Sequence, residues 1–264
     1  MPNLDCSCPT ANTRSLCLAA FLTLVTVTAA ASAQIAPTVS PYYARTNTFS
    51  VFGAYSGDSS HMLLGGAENR RLLNFGVAYS RKLYLNRIVN WQYNGELLPV
   101  ALESDPVVHT AYHQTAPVLA NSAYNNVQAA ACVAATKSFD DTITYVGGTV
   151  SFIGTTTTSC TRRWTVGDAI SPVGFQWNFL PRHKLQPFFI GHGGYMYSTQ
   201  PIPVSEAGSF NFTFDLGTGF ELYRNKTRSV RAEYRYHHIS NHFTANQNPG
   251  IDSGLVQLTY SFGK

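Results

Sequence analysis

The sequence predicts an all-β membrane protein, an eight-stranded antiparallel transmembrane β-barrel. Only 12% of the 264 residues are charged and 13% are aromatic, whereas soluble domains carry roughly 25% charged residues. After residue 33 no apolar run reaches the roughly 18 residues that a membrane-spanning helix needs. Two further observations support a barrel: apolar and polar residues alternate along the chain, and short and long connections alternate between the predicted strands.

Apolar and polar residues alternate from residue 47 to the end of the chain, as in strands with one apolar and one polar face. In the segment 210–216, for example, Phe or Leu occupies every even position and Asn, Thr or Asp every odd one. An even number of strands closes a barrel with both termini on one side of the membrane. The alternation predicts eight strands, near residues 47–56, 72–83, 88–102, 166–180, 186–198, 209–224, 227–241 and 253–262.

The connections between these strands differ in length. Those after the second, fourth and sixth strands are short, and those after the odd-numbered strands are longer. Outer-membrane barrels have short periplasmic turns and long external loops, so both termini are expected in the periplasm. The longest connection, residues 103–165 between strands three and four, exceeds a plain loop and contains a strand-like stretch at 142–153. It is expected to be an ordered external insertion in a barrel formed from residues 34–264.

Residues 1–33 have the pattern of a secretory signal peptide. Arg14 precedes an apolar segment at 16–30, and Ala31-Ser32-Ala33 has the small-x-small pattern of a cleavage site. The protein is therefore predicted to be exported and cleaved after Ala33.

Two cysteines, Cys132 and Cys160, follow the predicted signal peptide. Because an exported protein meets an oxidising compartment, these two are predicted to form a disulfide. Two free thiols are the alternative.

The charged residues give little indication of a partner or cofactor. A formal net charge of +4 is too small to suggest nucleic-acid binding, and no metal or cofactor is required by the candidate residues described below. Several ionisable residues of the predicted strands are interpreted as an ion-pair network that fills the barrel lumen: Glu96, Asp215, Glu221, Arg231, Glu233 and Arg235.

A candidate catalytic triad lies at the end of the seventh strand and the start of the eighth. His238 and Ser240 are two residues apart, so their side chains leave the same face of a strand. Asp252 begins the antiparallel neighbour after an eleven-residue loop and can lie alongside them. A serine nucleophile needs a base within hydrogen-bond reach and an acid that orients the base.

The parity of these positions places the triad on the lipid side of the wall. His238 and Ser240 share a face with Val230, and Asp252 shares one with Val256. A barrel strand turns its apolar face to lipid, so all three side chains are expected to face outward near the external membrane interface. His237, the rival base, has the opposite parity and is expected to point into the lumen.

The segment 231–262 resembles the end of the outer-membrane lipid A deacylase (PagL, acyloxyacyl hydrolase-like) family. Its hallmark, His-x-Ser-Asn at the end of the penultimate strand, is matched by residues 238–241. Asp252 follows the Asn-Pro-Gly turn at 248–250, where the family places its acidic residue, commonly Glu. The resemblance extends more loosely to 171–175 and 210–212.

This resemblance implies ester hydrolysis on lipid A, with release of an acyl chain. His238 would be the base, Ser240 the nucleophile, Asp252 the orienting acid and Asn241 the oxyanion donor. The implied partner is lipid A or lipopolysaccharide in the outer leaflet of a Gram-negative outer membrane, and the enzyme would be a monomer or a homodimer.

Two other functions remain open from the sequence. One is a small non-enzymatic outer-membrane barrel that serves adhesion or membrane structure through its long external loops. The other is a secreted soluble barrel that binds a small hydrophobic ligand.

Overall fold

The computed structural model describes residues 42–115 and 120–264, so the predicted signal peptide and its cleavage site lie outside the described residues. The described residues form ten strands, and none of them is helical. No helix in this part of the chain could span a membrane. The strands are β1 (Asn47–Ser56), β2 (Arg71–Leu85), β3 (Val89–Gln114), β4 (Ser122–Asn126), β5 (Ala135–Tyr145), β6 (Gly148–Phe179), β7 (Leu185–Ser198), β8 (Phe210–Asn225), β9 (Arg228–Ser240) and β10 (Ile251–Gly263).

Eight of these strands close into an antiparallel barrel. β1 pairs with both β2 and β10, β3 pairs with β6, and the remaining strands pair with their neighbours in sequence. The ring is therefore β1-β2-β3-β6-β7-β8-β9-β10. The predicted fold class is confirmed, since the eight predicted strands correspond to these eight in order.

Two of the barrel strands are longer than predicted. β3 continues to Gln114 and β6 begins at Gly148, and the two remain paired from Asp105 with Arg163 to Gln114 with Gly154. The alternation is weak in these extensions, because residues 155–158 of β6 are all Thr. Thr is common in strands and is also polar enough to face water, so a run of Thr does not distinguish one face of the strand from the other.

The extensions carry two further strands and form what we call the external ribbon, residues 105–115 and 120–163. β4 pairs with β3 and β5 with β6, which gives the strand order β4-β3-β6-β5. A disulfide between Cys132 and Cys160 joins the β4–β5 connection to β6, with the two Cα atoms 5.9 Å apart. The ribbon leaves the end of the barrel that also carries the long connections 57–70, 199–209 and 241–250, which we call the loop end.

Burial alternates along most of the barrel strands, but here the polar side chains are buried and the apolar side chains are exposed, the reverse of a soluble protein. On β9 the inward residues Ser229, Arg231 and Glu233 are buried, whereas the outward residues Val230 and Tyr234 are about half exposed. A wall covered with exposed apolar side chains is stable only against lipid. The outer surface is therefore the membrane-facing surface.

The barrel lumen is filled by an ion-pair network centred on Arg235. Its guanidinium donates to both carboxylate oxygens of Glu96, at 2.8 and 3.0 Å, and to Glu233 at 2.7 Å. Asp215 accepts a longer bond at 3.4 Å. The interpretation as a lumenal network is confirmed for Glu96, Asp215, Glu233 and Arg235. Glu221 pairs instead with Arg45, and Arg231 donates to Gln176 without an ion pair among the described residues. Hydrogen bonds between such groups make a narrow polar core possible.

Candidate active site

His238 and Asp252 form a hydrogen-bonded pair on the outer wall at the loop end. They are directly opposite each other in the register of β9 and β10. The Nδ1 atom of His238 lies 2.7 Å from Oδ1 of Asp252. Because Nδ1 faces the carboxylate, Nε2 is the ring nitrogen that remains to accept a proton from a nucleophile.

The connection 57–70 folds over Asp252 and holds its carboxylate. The backbone N–H groups of Leu63 and Leu64 donate to Oδ2 at 2.7 and 2.8 Å, and the hydroxyl of Tyr236 donates to Oδ1 at 2.8 Å. Asp252 has no exposed surface. Its two oxygens thus have four hydrogen-bond partners, and the carboxylate is fixed in the orientation that meets the imidazole.

Gly65 allows this close approach of the loop to β10. A Cβ atom at this position would lie 2.5 Å from the backbone nitrogen of Asp252 and 2.7 Å from the carbonyl carbon of Ile251. Both atoms belong to the backbone of a paired strand and cannot move aside cheaply. The loop can therefore reach Asp252 only with glycine at residue 65.

Ser240 shares the outward face with His238 but has different partners. Its hydroxyl donates to Oδ1 of Asn248 at 3.1 Å and accepts from the Asn248 amide at 3.0 Å. The backbone N–H of His242 also donates to it, at 3.2 Å. Within the described ranges no hydrogen bond joins Ser240 to His238. Catalytic hydrogen bonds are often loose in the absence of substrate.

Asn241 organises the 241–250 connection. Its amide donates to the carbonyl of Gln247 at 2.7 Å, and its side-chain oxygen accepts from the backbone N–H of Phe243 at 2.9 Å. Asn241 is fully buried. The predicted oxyanion donor is thus engaged within its own loop, whereas Asn248 presents its amide to the Ser240 oxygen.

The rival base, His237, points into the lumen. It is buried, and its Nδ1 hydrogen-bonds to Asp215 of the lumenal network. Its side chain is therefore separated from Ser240 by the barrel wall.

Apolar side chains flank the site on its exposed side. Leu63 and Leu64 are 76% and 68% exposed, and Phe243 in the other connection is 78% exposed. Phe212, opposite Ser240 on β8, is also exposed on the wall. The triad residues thus lie at the boundary between the lipid-facing wall and the polar loops.

The external ribbon braces the connection that holds Asp252. The fully buried Arg70 donates to the carbonyls of Gln128 and Ala129 at 2.7 and 2.9 Å. The backbone N–H of Glu68 donates to Ala129 as well, at 2.8 Å. This contact could not be predicted from the sequence, because residues 68–70 and 128–129 lie in two separate irregular segments.

A family model described as lipid A 3-O-deacylase (PagL) matches residues 133–261. Over these residues the chain matches the lipid A 3-O-deacylase family. The matched segment contains His238, Ser240, Asn241 and Asp252. The resemblance seen in the sequence is therefore confirmed. The match, like the lipid-facing wall, indicates a protein of the bacterial outer membrane.

Solved structures of outer-membrane barrels are similar to the chain. The outer membrane enzyme PagL is 12% identical, with 81% of this chain and 99% of that chain covered and a TM-score of 0.46. Neisserial surface protein A is 12% identical over 83% of this chain and 97% of that one, with a TM-score of 0.39. OprG from Pseudomonas aeruginosa is 10% identical over 83% and 98%, with a TM-score of 0.38. No curated protein matches the chain.

Proposed function

We propose that the protein is an exported outer-membrane serine esterase that removes an ester-linked acyl chain from lipid A, and that it is cleaved after Ala33. The observation that carries the proposal is the His238–Asp252 pair, joined at 2.7 Å on the lipid-facing wall beside Ser240. A polar triad on a surface otherwise covered by apolar side chains suits a substrate that is itself a membrane lipid. All three side chains come from one chain, so a second copy is not needed to complete the site.

In the proposed reaction Ser240 attacks the carbonyl carbon of the ester while Nε2 of His238 takes the hydroxyl proton. Asp252 accepts the Nδ1 hydrogen bond and stabilises the imidazolium that forms. The tetrahedral intermediate breaks its bond to the sugar oxygen, which receives the proton from His238. Water, deprotonated by His238, then attacks the acyl-serine ester, and the fatty acid leaves as Ser240 regains its proton.

An amide donor beside Ser240 would stabilise the oxyanion of the tetrahedral intermediate. Asn241 is the donor that the sequence predicts, and Asn248 is a second candidate because its amide lies 3.0 Å from the Ser240 oxygen. Removal of one such donor typically lowers turnover by about 10²–10³.

The proposal is tested by mass spectrometry of lipid A from a Gram-negative host that lacks its own deacylase. The host expresses the wild type, Ser240→Ala or Ser122→Ala, and heat-modifiable gel mobility shows that each barrel is folded. Ser122 is the matched control, because it is an exposed serine on β4. The wild type and Ser122→Ala are expected to remove one acyl mass, and Ser240→Ala none.

Two results would overturn the proposal. Deacylation by folded Ser240→Ala would exclude this serine as the nucleophile. Unchanged lipid A with the folded wild type would favour the non-enzymatic barrel, and the external ribbon would then be the surface to test for adhesion.

A further inference from the structure

We propose that Arg71 and Arg162 form a binding site for a phosphate group of the lipid A headgroup. The proposal rests on the function proposed above, since the phosphate belongs to the same lipid A substrate and would bind outside the triad. It is carried by two neighbouring guanidinium groups at the loop end, for which the described residues provide no carboxylate partner.

Arg162 is anchored on β6 by neutral groups. Its Nε donates to the Ser104 hydroxyl at 3.0 Å, and its Nη1 donates to the side-chain oxygen of Asn69 at 3.0 Å. Its Nη2 donates to the backbone carbonyls of Asn69 and Ser104 at 2.8 and 2.7 Å. Four of the five guanidinium N–H groups are therefore engaged, and they hold the group in one orientation. One N–H of Nη1 remains for an anion, and a preorganised cation of this kind favours anion binding.

Arg71 lies next to this anchored group. It is the first residue of β2, it is exposed, and it pairs with Ser104, the residue that Arg162 contacts. The two charges are close enough to affect each other: burial, followed by the charge of Arg71, lowers the pKa of Arg162. None of the ion pairs among the described residues includes either arginine.

The nearby carboxylates form no ion pair with either arginine. Asp105 is buried between Arg70 and Arg163, with N···O distances of 3.3 and 3.0 Å. Glu103 is fully buried and forms no ion pair among the described residues. Arg71 and Arg162 therefore remain available to an anion from outside.

The position of the pair fits a lipid headgroup. Below Arg71 on the outward face of β2 the wall is apolar, with Phe75 and Val77 about half exposed. Trp164, in register with Ser104, is half exposed on β6 beside the pair, and aromatic residues are enriched at membrane interfaces. Ser240 lies on β9, three strands from β2 in one direction around the barrel and three strands from β6 in the other. Three strand spacings are roughly 14 Å around the wall, a distance that a phosphorylated disaccharide can span from the ester at Ser240.

Steady-state kinetics in detergent micelles can test this site with the full chain. The substrates are bisphosphorylated lipid A and the same lipid after removal of both phosphates. The variants are Arg71→Gln, Arg162→Gln and the double variant, with Arg228→Gln as the matched control at the opposite end of the barrel. Arg71→Gln is the least disruptive of these, because Arg71 is exposed and no hydrogen bond of its side chain is seen among the described residues.

We expect each single variant to lower the ratio of kcat/KM for the phosphorylated over the dephosphorylated lipid by about tenfold, the effect of losing one hydrogen bond to a charged group. The fall is expected mainly through KM, and Arg228→Gln should keep the wild-type ratio. A folded double variant with the wild-type ratio would overturn the proposal.

A binding measurement separates failure of this site from failure of the enzymatic proposal. Native mass spectrometry of Ser240→Ala, with and without the two arginine substitutions, measures retention of each lipid without any hydrolysis. Retention that requires both the phosphates and the arginines supports the site even if the wild type cleaves nothing. If inorganic phosphate binds as tightly as the phosphorylated lipid does, the site takes free anions and the lipid assignment is wrong.

Discussion

At the scale of single residues, the two asparagines of the 241–250 connection have different surroundings. Asn248 is half-buried and presents its amide to the Ser240 hydroxyl. Asn241 is fully buried, with its side chain bonded to the backbone of Gln247 and Phe243. The His-x-Ser-Asn motif could not separate these roles, because it places Asn241 next to the serine in sequence and gives no information about the direction of its amide.

We therefore expect Asn248→Ala to lower kcat by about 10²–10³, the usual effect of removing an oxyanion donor, with little change in KM or thermal stability. Asn241→Ala should lower the thermal stability, because it removes two hydrogen bonds that hold the 241–250 connection together. The measurement is kcat on lipid A beside a thermal unfolding curve of each variant. A selective loss of kcat in Asn241→Ala, with unchanged stability, would instead support Asn241 as the donor.

The register of β9 and β10 explains how the shorter Asp252 can serve where the family commonly has Glu. A side chain shorter by one methylene could fail to reach the imidazole if the two residues were offset in register. Here Asp252 is directly opposite His238, and its Oδ1 atom lies 2.7 Å from Nδ1 of the imidazole. The sequence could predict that the acid lies at the start of the last strand, but the exact register depends on the length and path of the preceding loop.

At the scale of elements, the 57–70 connection is the main part of the candidate site that could not be predicted from the sequence. The strands and their outward parity follow from alternation, which is a local signal. The contact of Leu63 and Leu64 with Asp252 joins residues nearly 190 positions apart through backbone N–H groups, which carry no side-chain signature. Neither the spacing nor the residue types could therefore predict it.

Gly65 provides the test of that contact. Gly65→Ala would place a methyl group 2.5 Å from a backbone atom of β10, so the loop must move away and the carboxylate loses its two N–H donors. We expect kcat to fall by at least about tenfold, as for the loss of hydrogen bonds to a charged group, while the barrel stays folded by heat-modifiable mobility.

Gly57→Ala is the matched control for this substitution. It lies in the same connection, and its Cβ would have only ordinary contacts, the nearest at 3.5 Å from the Tyr55 ring hydroxyl. Its activity should remain near the wild type. Full activity of Gly65→Ala would show that the loop does not orient Asp252.

At the scale of the whole molecule, the barrel and the external ribbon were predictable to different degrees. The barrel has one face in lipid and one in a polar lumen, so each strand has a period-two pattern. The ribbon is largely exposed on β4 and β5, so no burial pattern marks its strands in the sequence. Its presence as an ordered insertion could be expected from its length, but its continuity with β3 and β6 could not.

The barrel should fold without most of the ribbon, whereas the active site should not be fully formed. Deletion of residues 108–160, with a short Gly-rich turn between Val107 and Thr161, keeps all the barrel strand pairs. It removes the carbonyls of Gln128 and Ala129, which accept from Arg70 and from the Glu68 backbone.

We expect the deletion variant to keep its heat-modifiable mobility and its insertion into the outer membrane. Its kcat on lipid A should fall, because the 57–70 connection loses the hydrogen bonds that support it. Wild-type kcat in the deletion variant would show that this connection supports itself, and a failure to insert would show that barrel folding depends on the ribbon.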